Sequence, residues 1–226
     1  MDSGGFTELN LHGTWTGSTE AYARRIRRYQ TEIGGLDWVA PRDWMCEPTV
    51  LKRTGLSLLA HQRRTVDAYL ALCDELGDLA WLIAPVLQGW EEGDYHRCVE
   101  MYLRRGVDLS VAPVVGVGSV CRRGGTHDVV RIVSALRERW RLPLHGFGVK
   151  GSALVALRES LASADSLAWS FAARQFALDR RLRRRPAPEW VPDCSHRTCS
   201  SCEWFAVAWR RRLLCGFTPA RQLSRT

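Results

Sequence analysis

Lysine is almost missing from this chain. Only Lys52 and Lys150 occur among 226 residues, so nearly all of the 32 basic charges are arginine. Set against 24 acidic residues, they leave a formal net charge of +8. An arginine surplus suits bidentate gripping of phosphate, yet a GC-rich coding sequence produces the same bias, so charge alone leaves a nucleic-acid partner open. Long apolar runs are lacking as well, none approaching the roughly 18 residues of a membrane span. The N-terminus is acidic and glycine-rich, unlike a secretion signal. The expectation is a cytoplasmic enzyme or binding protein with no membrane partner. No internal repeat is present. Gly116-Val117-Gly118 lacks the third glycine of a dinucleotide fingerprint, which sets that function aside.

Cysteine is plentiful, but its spacing speaks against a disulfide framework. Cys46, Cys73, Cys98 and Cys121 are scattered through apolar or helical stretches, as core or site thiols are. Cys194, Cys199 and Cys202 cluster near the C-terminus with His196, which in a reducing compartment reads as a structural zinc site. Cys194 and His196 are close together for two ligands of one ion, so Cys215 is an alternative fourth donor.

What is present is an alternation of short apolar runs with amphipathic stretches. Strands are predicted at Asp37–Pro41, Leu82–Gly89, Leu109–Gly118, Leu144–Val149 and around Leu161–Asp165, rich in Val, Leu, Ile and Ala as doubly buried parallel strands are. Helices are predicted at Ser18–Ile33, with Tyr22, Ile26, Tyr29 and Ile33 on one face, and at Ser57–Leu76, Glu91–Arg105, Thr126–Trp140, Gly151–Ser160, Ser170–Arg184 and Glu203–Leu214. An open doubly wound sheet and a (β/α)8 barrel both fit. The barrel is favoured because nearly every predicted strand runs into a loop bearing a polar side chain, and barrel loops converge on one rim. About five or six β/α units can be counted where a barrel has eight. After a basic run from Arg180, a Pro-rich link leads to the Cys cluster. The predicted organisation is a barrel over residues 1–185 and a zinc-binding appendage over residues 186–226.

Several residues carry candidate chemistry. Asp2 and Asp165 pair as two carboxylates able to divide nucleophilic and acid/base work. Read singly, Asp2 suits a turn, and Asp165 or Ser166 a helix N-cap. In Asp37–Pro48, two Trp and a Met offer stacking faces, and Asp43 can accept from the amino and imino groups of a guanine-like base. A Trp-anchored structural loop fits the same segment. Gln88 can donate to and accept from a base edge. Gly116 and Gly118 allow close backbone approach before Arg122 and Arg123, two guanidiniums suited to phosphate.

Taken together, the stretches DSGGFTEL (2–9), WVAPRDWMCEP (38–48), TGLSLLAHQRRTV (54–66), VLQGW (86–90), VGVGSVCRR (115–123), LHGFGVK (144–150) and SADSLAWS (163–170) resemble the tRNA-guanine transglycosylase superfamily. GSVCRR, HGFGVK and SADSLAWS resemble its DNA-acting branch, the deazapurine DNA-modification transglycosylases of phages and bacterial genomic islands.

The resemblance implies a (β/α)8 TIM-type barrel with a small C-terminal zinc-binding appendage. It also implies exchange of guanine in DNA for a 7-deazaguanine such as 7-cyano-7-deazaguanine. Asp165 would be the nucleophile and Asp2 the proton-transfer carboxylate. Ser3, Gly4, Asp43, Cys46, Gln88, Gly116 and Gly118 would bind the base, and Arg122 and Arg123 would grip phosphate. Cys194, His196, Cys199 and Cys202 would hold structural zinc. The target guanine must be flipped out or single-stranded, and Trp44 and Trp90 are expected to hold it. Two features depart from the family pattern: the stretch ahead of DSGGF is missing, implying a barrel without its first β/α unit or units, and no His follows His196. A tRNA substrate, or an inactive nucleic-acid-binding subunit working with helper proteins of a modification system, are the alternative expectations.

Overall fold

The computed structural model describes residues 1–121, 123, 126–181 and 202–217. It is a mixed α/β fold whose sheet is parallel throughout. Four strands, β1 (Val86–Leu87), β2 (Val115–Val117), β3 (Leu144–Gly146) and β4 (Ser163–Ala164), pair in chain order with no reversal. The register sets Val86 beside Gly116, Gly116 beside His145, and His145 beside Ser163.

Two further backbone positions extend this row. Val39 forms a parallel bridge with Ile83, just ahead of β1. Beyond Val39 lies Met1, whose terminal N–H donates to Trp38 O at 2.6 Å while Ala40 N–H donates to Met1 O at 2.9 Å. That pair of bonds is the parallel-ladder pattern, so Met1 sits where the last residue of a neighbouring strand would sit. Asp2 follows directly after this paired residue.

The predicted strands are longer than the observed ones. Asp37–Pro41 contributes a single bridge, and the first part of Leu109–Gly118 is a 3-10 turn, Leu109–Val111, with Asp108 accepting from Ser110 N. Two short helices were not predicted. α1 (Gly5–His12) starts inside the expected glycine loop, after Gly4 in the left-handed region at φ 78°. α3 (Pro48–Thr54) opens with the helix-compatible Pro48 and closes on left-handed Gly55.

The longer helices follow their sequence signals. α2 (Thr19–Glu32) and α4 (Leu58–Leu76) are capped by Ser18 and Ser57, each accepting from a backbone N–H three residues on at 3.2 Å. α5 (Glu92–Arg104), α6 (Thr126–Trp140) and α7 (Gly151–Leu157) connect successive strands. Tyr95, Cys98, Tyr102, Ile132, Val133 and Leu136 of α5 and α6 pack on Leu87, Val115, Val117 and Leu144 to form the main core. A second core joins Tyr22 and Ile26 of α2 to Val39, Leu72, Leu76 and Ile83. The predicted face of α2 is used only in its first half, since Ile33 is 77% exposed. α8 (Ala168–Arg181) packs against α9 (Glu203–Phe217) through Ala173, Cys202 and Phe205. No helix among the described residues is long and apolar enough to cross a membrane.

Candidate active site

Parallel strands that pair in order put all their C-terminal ends on one side. Here those ends open into one cavity of about 660 Å³, lined by Asp2 after Met1, Asp43 after the Val39 bridge, Gln88 after β1, Gly118 and Ser119 after β2, Gly148 after β3 and Asp165 after β4. The sequence-predicted residues Asp2, Gly4, Asp43, Gln88, Gly118 and Asp165 are thus brought together.

Asp43, Gln88 and Ser119 form a buried polar floor. Asp43 is 5% exposed. Its carboxylate accepts from Ser3 Oγ at 3.0 Å and from Gln88 Nε2 at 2.6 Å. Gln88 Oε1 accepts from Ser119 Oγ at 2.7 Å, and Ser119 Oγ in turn accepts from Cys46 N at 2.7 Å. Glu47 Oε2 lies 2.9 Å from the same hydroxyl, so one proton faces two acceptors. Burial pushes the Asp43 carboxyl up to about 6, against the pull of the Ser3 and Gln88 hydrogen bonds. At neutral pH it is still an acceptor for donors on a ligand.

The floor is rigid for identifiable reasons. Gln62 Nε2 donates to Gln88 O at 2.7 Å, and Tyr95 Oη donates to Gly118 O at 2.9 Å. A Cβ at Gly118 would fall 2.2 Å from Gln88 Nε2, so only glycine leaves the amide in place. Ser119 follows at φ 55°, a conformation unusual for a side-chain-bearing residue. The Asp43–Met45 loop is pinned to α4 by Thr65 Oγ1, which accepts from Trp44 N at 2.9 Å, and by His61 Nδ1, 2.6 Å from Met45 O.

Asp165 is held differently. Its side chain is 58% exposed, and Oδ1 accepts from Gly148 N at 2.6 Å. His145 Nε2 stands 3.7 Å from the same oxygen. Burial works to raise its pKa, but the His145 imidazole and the Gly148 N–H outweigh it and hold the group below the usual carboxylate range. Ser166 Oγ, not Asp165, accepts from Ala168 N at the start of α8 (3.3 Å). Asp165 is therefore not spent on capping the helix.

Other expectations fall outside the cavity. Cys46 is fully buried, its Sγ 3.8 Å from Trp44 O, and burial pushes its thiol well up. Its backbone N–H, rather than its sulfur, serves the floor. Gly116 lies within the sheet beneath Phe147, and Ser3 stands behind Asp43. Arg123 is 5% exposed; its guanidinium donates to Ser119 O at 3.3 Å and to Trp90 O, and lies 4.3 Å over the Trp90 ring. Trp44 is buried beneath Arg64, 4.5 Å over its ring. Neither tryptophan lines the cavity, which corrects the expectation that they cradle a base. Phe6, Phe147 and Phe171 line it instead, with Glu47, Lys150 and Leu167. Phe147, Lys150 and Leu167 lie inside the stretches LHGFGVK and SADSLAWS.

Arg122, Cys194, His196 and Cys199 lie outside the described residues. Cys202 is buried where α9 begins, among Phe205, Trp169, Phe176 and Trp209. Among the described residues, no group of three or more His, Cys, Asp or Glu side chains is arranged to hold a metal.

Comparison with known proteins supplies the family. The family model DpdA, described as DeoxyPurine in DNA protein A, matches residues 1–223. A search of curated proteins found no match. The chain belongs to the DpdA family.

Proposed function

We propose that this member of the DpdA family is a DNA guanine transglycosylase, exchanging guanine for a 7-deazaguanine such as 7-cyano-7-deazaguanine. The observation that carries this reading is the meeting, in one cavity, of an ionised, half-exposed Asp165 with the buried Asp43–Gln88 floor. The first has the exposure of a nucleophile; the second has donors and acceptors spaced for a purine edge. The words DeoxyPurine in DNA in the family description favour DNA over tRNA.

The chemistry then follows from the residues. Asp165 Oδ2 attacks C1′ of the deoxyribose as guanine leaves, giving a covalent ester; Asp2 protonates the leaving base. The incoming base then displaces Asp165 from the opposite face, and Asp2 takes up its proton. Two inversions retain configuration at C1′. Asp43 accepts from the amino and imino groups of either base, and the Gln88 amide holds Asp43 in place. Phe147 supplies a flat wall, and Lys150 supplies positive charge for phosphate. Arg123, committed to Ser119, Trp90 and the Trp90 ring, shapes the loop. Exposed Leu167 and Phe171 form the lip beside which an extruded guanine enters.

In this reading the sequential parallel sheet is an arc of a (β/α)8 barrel, and the C-terminal cluster binds structural zinc. Three thiols and an imidazole within a nine-residue stretch form a donor set suited to that ion. Cys202, buried at the α8–α9 packing, would tie such a site to the fold. Zinc there supplies cross-linking, and no catalytic step runs through it.

The test is incubation of the full chain with a guanine-containing oligodeoxynucleotide and radiolabelled guanine. Label entering DNA, with a denaturation-stable DNA–protein adduct mapping to Asp165, is the expected result. Label entering tRNA but not DNA would overturn the substrate; no label and no adduct would overturn the activity.

A further inference from the structure

His145 is a buried polar side chain of the sheet that the chemistry above does not use. It sits at the centre of β3, 5% exposed, with the Trp38 and Phe147 rings edge-on at 4.6 and 4.9 Å. Its Nδ1 is 2.8 Å from Ser163 Oγ on the adjoining strand. Its Nε2 makes no hydrogen bond among the described residues and faces Asp165 Oδ1 at 3.7 Å. A buried ring nitrogen without a partner is uncommon enough to ask for a use.

The neighbours decide which ring nitrogen presents a proton to Asp165. A lone pair on Nε2 would face the Asp165 carboxylate and be repelled, so the proton belongs on Nε2. In the neutral ring, Ser163 Oγ then donates its hydroxyl proton to Nδ1. Gly148 N–H and His145 Nε2–H both address Oδ1, which leaves Oδ2 as the attacking atom.

We infer that His145 is a positioning residue that receives the negative charge returning to Asp165 and thereby speeds the second displacement. The inference rests on the transglycosylase reading. In the covalent state Asp165 is a neutral ester, and its Oδ1 asks little of either donor. The ring nitrogen of the incoming base then bonds to C1′, the C1′–Oδ2 bond breaks with its electron pair going to Asp165, and the proton of that nitrogen passes to Asp2. Charge reappears on the carboxylate in that step, and a small closure of the 3.7 Å gap brings an aligned N–H to meet it. In the first displacement the same contact stabilises the reactant carboxylate, so it brings no gain there.

The two half-reactions therefore separate the effect. His145→Phe keeps the ring in its aromatic slot and removes the N–H. With a guanine-containing oligodeoxynucleotide and 7-cyano-7-deazaguanine, the variant is expected to form the adduct at least as fast as wild type. It should release the adduct on the order of ten-fold more slowly, so that adduct accumulates during turnover. His145→Gln, which restores a donor, should recover part of the release rate. Ser163→Ala, at an exposed position, should slow release by a few-fold and keeps the inference testable if His145→Phe does not fold. Release at the wild-type rate in these variants, or formation and release falling together, would overturn the role of His145 alone. Absence of adduct and of base exchange in the wild-type chain would overturn the transglycosylase reading and the inference with it.

Discussion

Two carboxylates in one cavity live in opposite surroundings. Asp43 is buried, each of its oxygens accepting one bond, from Ser3 and from Gln88, and is pushed up to about 6. Asp165 is half exposed, touched at Oδ1 by Gly148 and His145 among the described residues, and held below the usual range. The floor is locked by bonds that cross the sheet and would need several side chains to move together. The Asp165 corner has an oxygen to spare. Rigid, buried acceptors suit recognition, while an ionised carboxylate with one unspent oxygen suits bond formation. The division of labour lies in the environment, since the residue type is the same.

The largest expected effect comes from the exposed member. Asp165→Ala should cut base exchange by at least about 10⁴-fold and abolish the adduct, with the circular dichroism spectrum and thermal transition near wild type. Normal turnover by that variant would erase the distinction between the two carboxylates. Next comes the floor. Gly118→Ala drives a methyl into the Gln88 amide, and steady-state kinetics should show KM for the deazaguanine rising by roughly 10- to 100-fold as the floor loses register. A smaller effect on KM than on kcat would mean that the floor does chemistry.

Acid titration probes the comparison more gently. The folded Asp43 carboxyl, at about 6, lies above its ordinary value of 3.8, so the native state holds that proton more tightly than the unfolded chain does. Its contribution therefore opposes folding above pH 6 and fades as the pH falls through that window. Base binding moves the other way, because protonation converts an acceptor into a donor. The kcat/KM profile should drop below about pH 6, and Asp43→Asn should remove that acid limb. The smallest effect on exchange should come from chelation of the zinc proposed for the C-terminal cluster. It should lower the melting temperature by several degrees while changing the exchange rate of the still-folded protein by less than about two-fold.

Much of this cavity was legible from spacing, because Asp43, Gln88, Gly118 and Asp165 each close or follow an apolar run that becomes a strand or a bridge, whereas Asp2 follows only Met1 and is marked by the DSGGF stretch itself. The side chains that fill the remaining space were not. Arg123 looks like a phosphate ligand in sequence, but a guanidinium beside three accessible acceptor surfaces settles on them. Trp44 and Trp90 look like base platforms, but each ring is already covered by an arginine. Strand lengths were overestimated because apolar composition continues past the point where the ladder ends, as at Leu109–Val111. α1 was hidden because its first residue is a glycine, a poor helix former that here follows the left-handed Gly4.

The 2.2 Å approach at Gly118 also bears on how this sequence can drift. Position 118 is not free to vary while Gln88 stands: a side chain at 118 is admissible only after the amide at 88 has shrunk or turned away. A substitution at 118 must therefore follow one at 88, an order dictated by sterics.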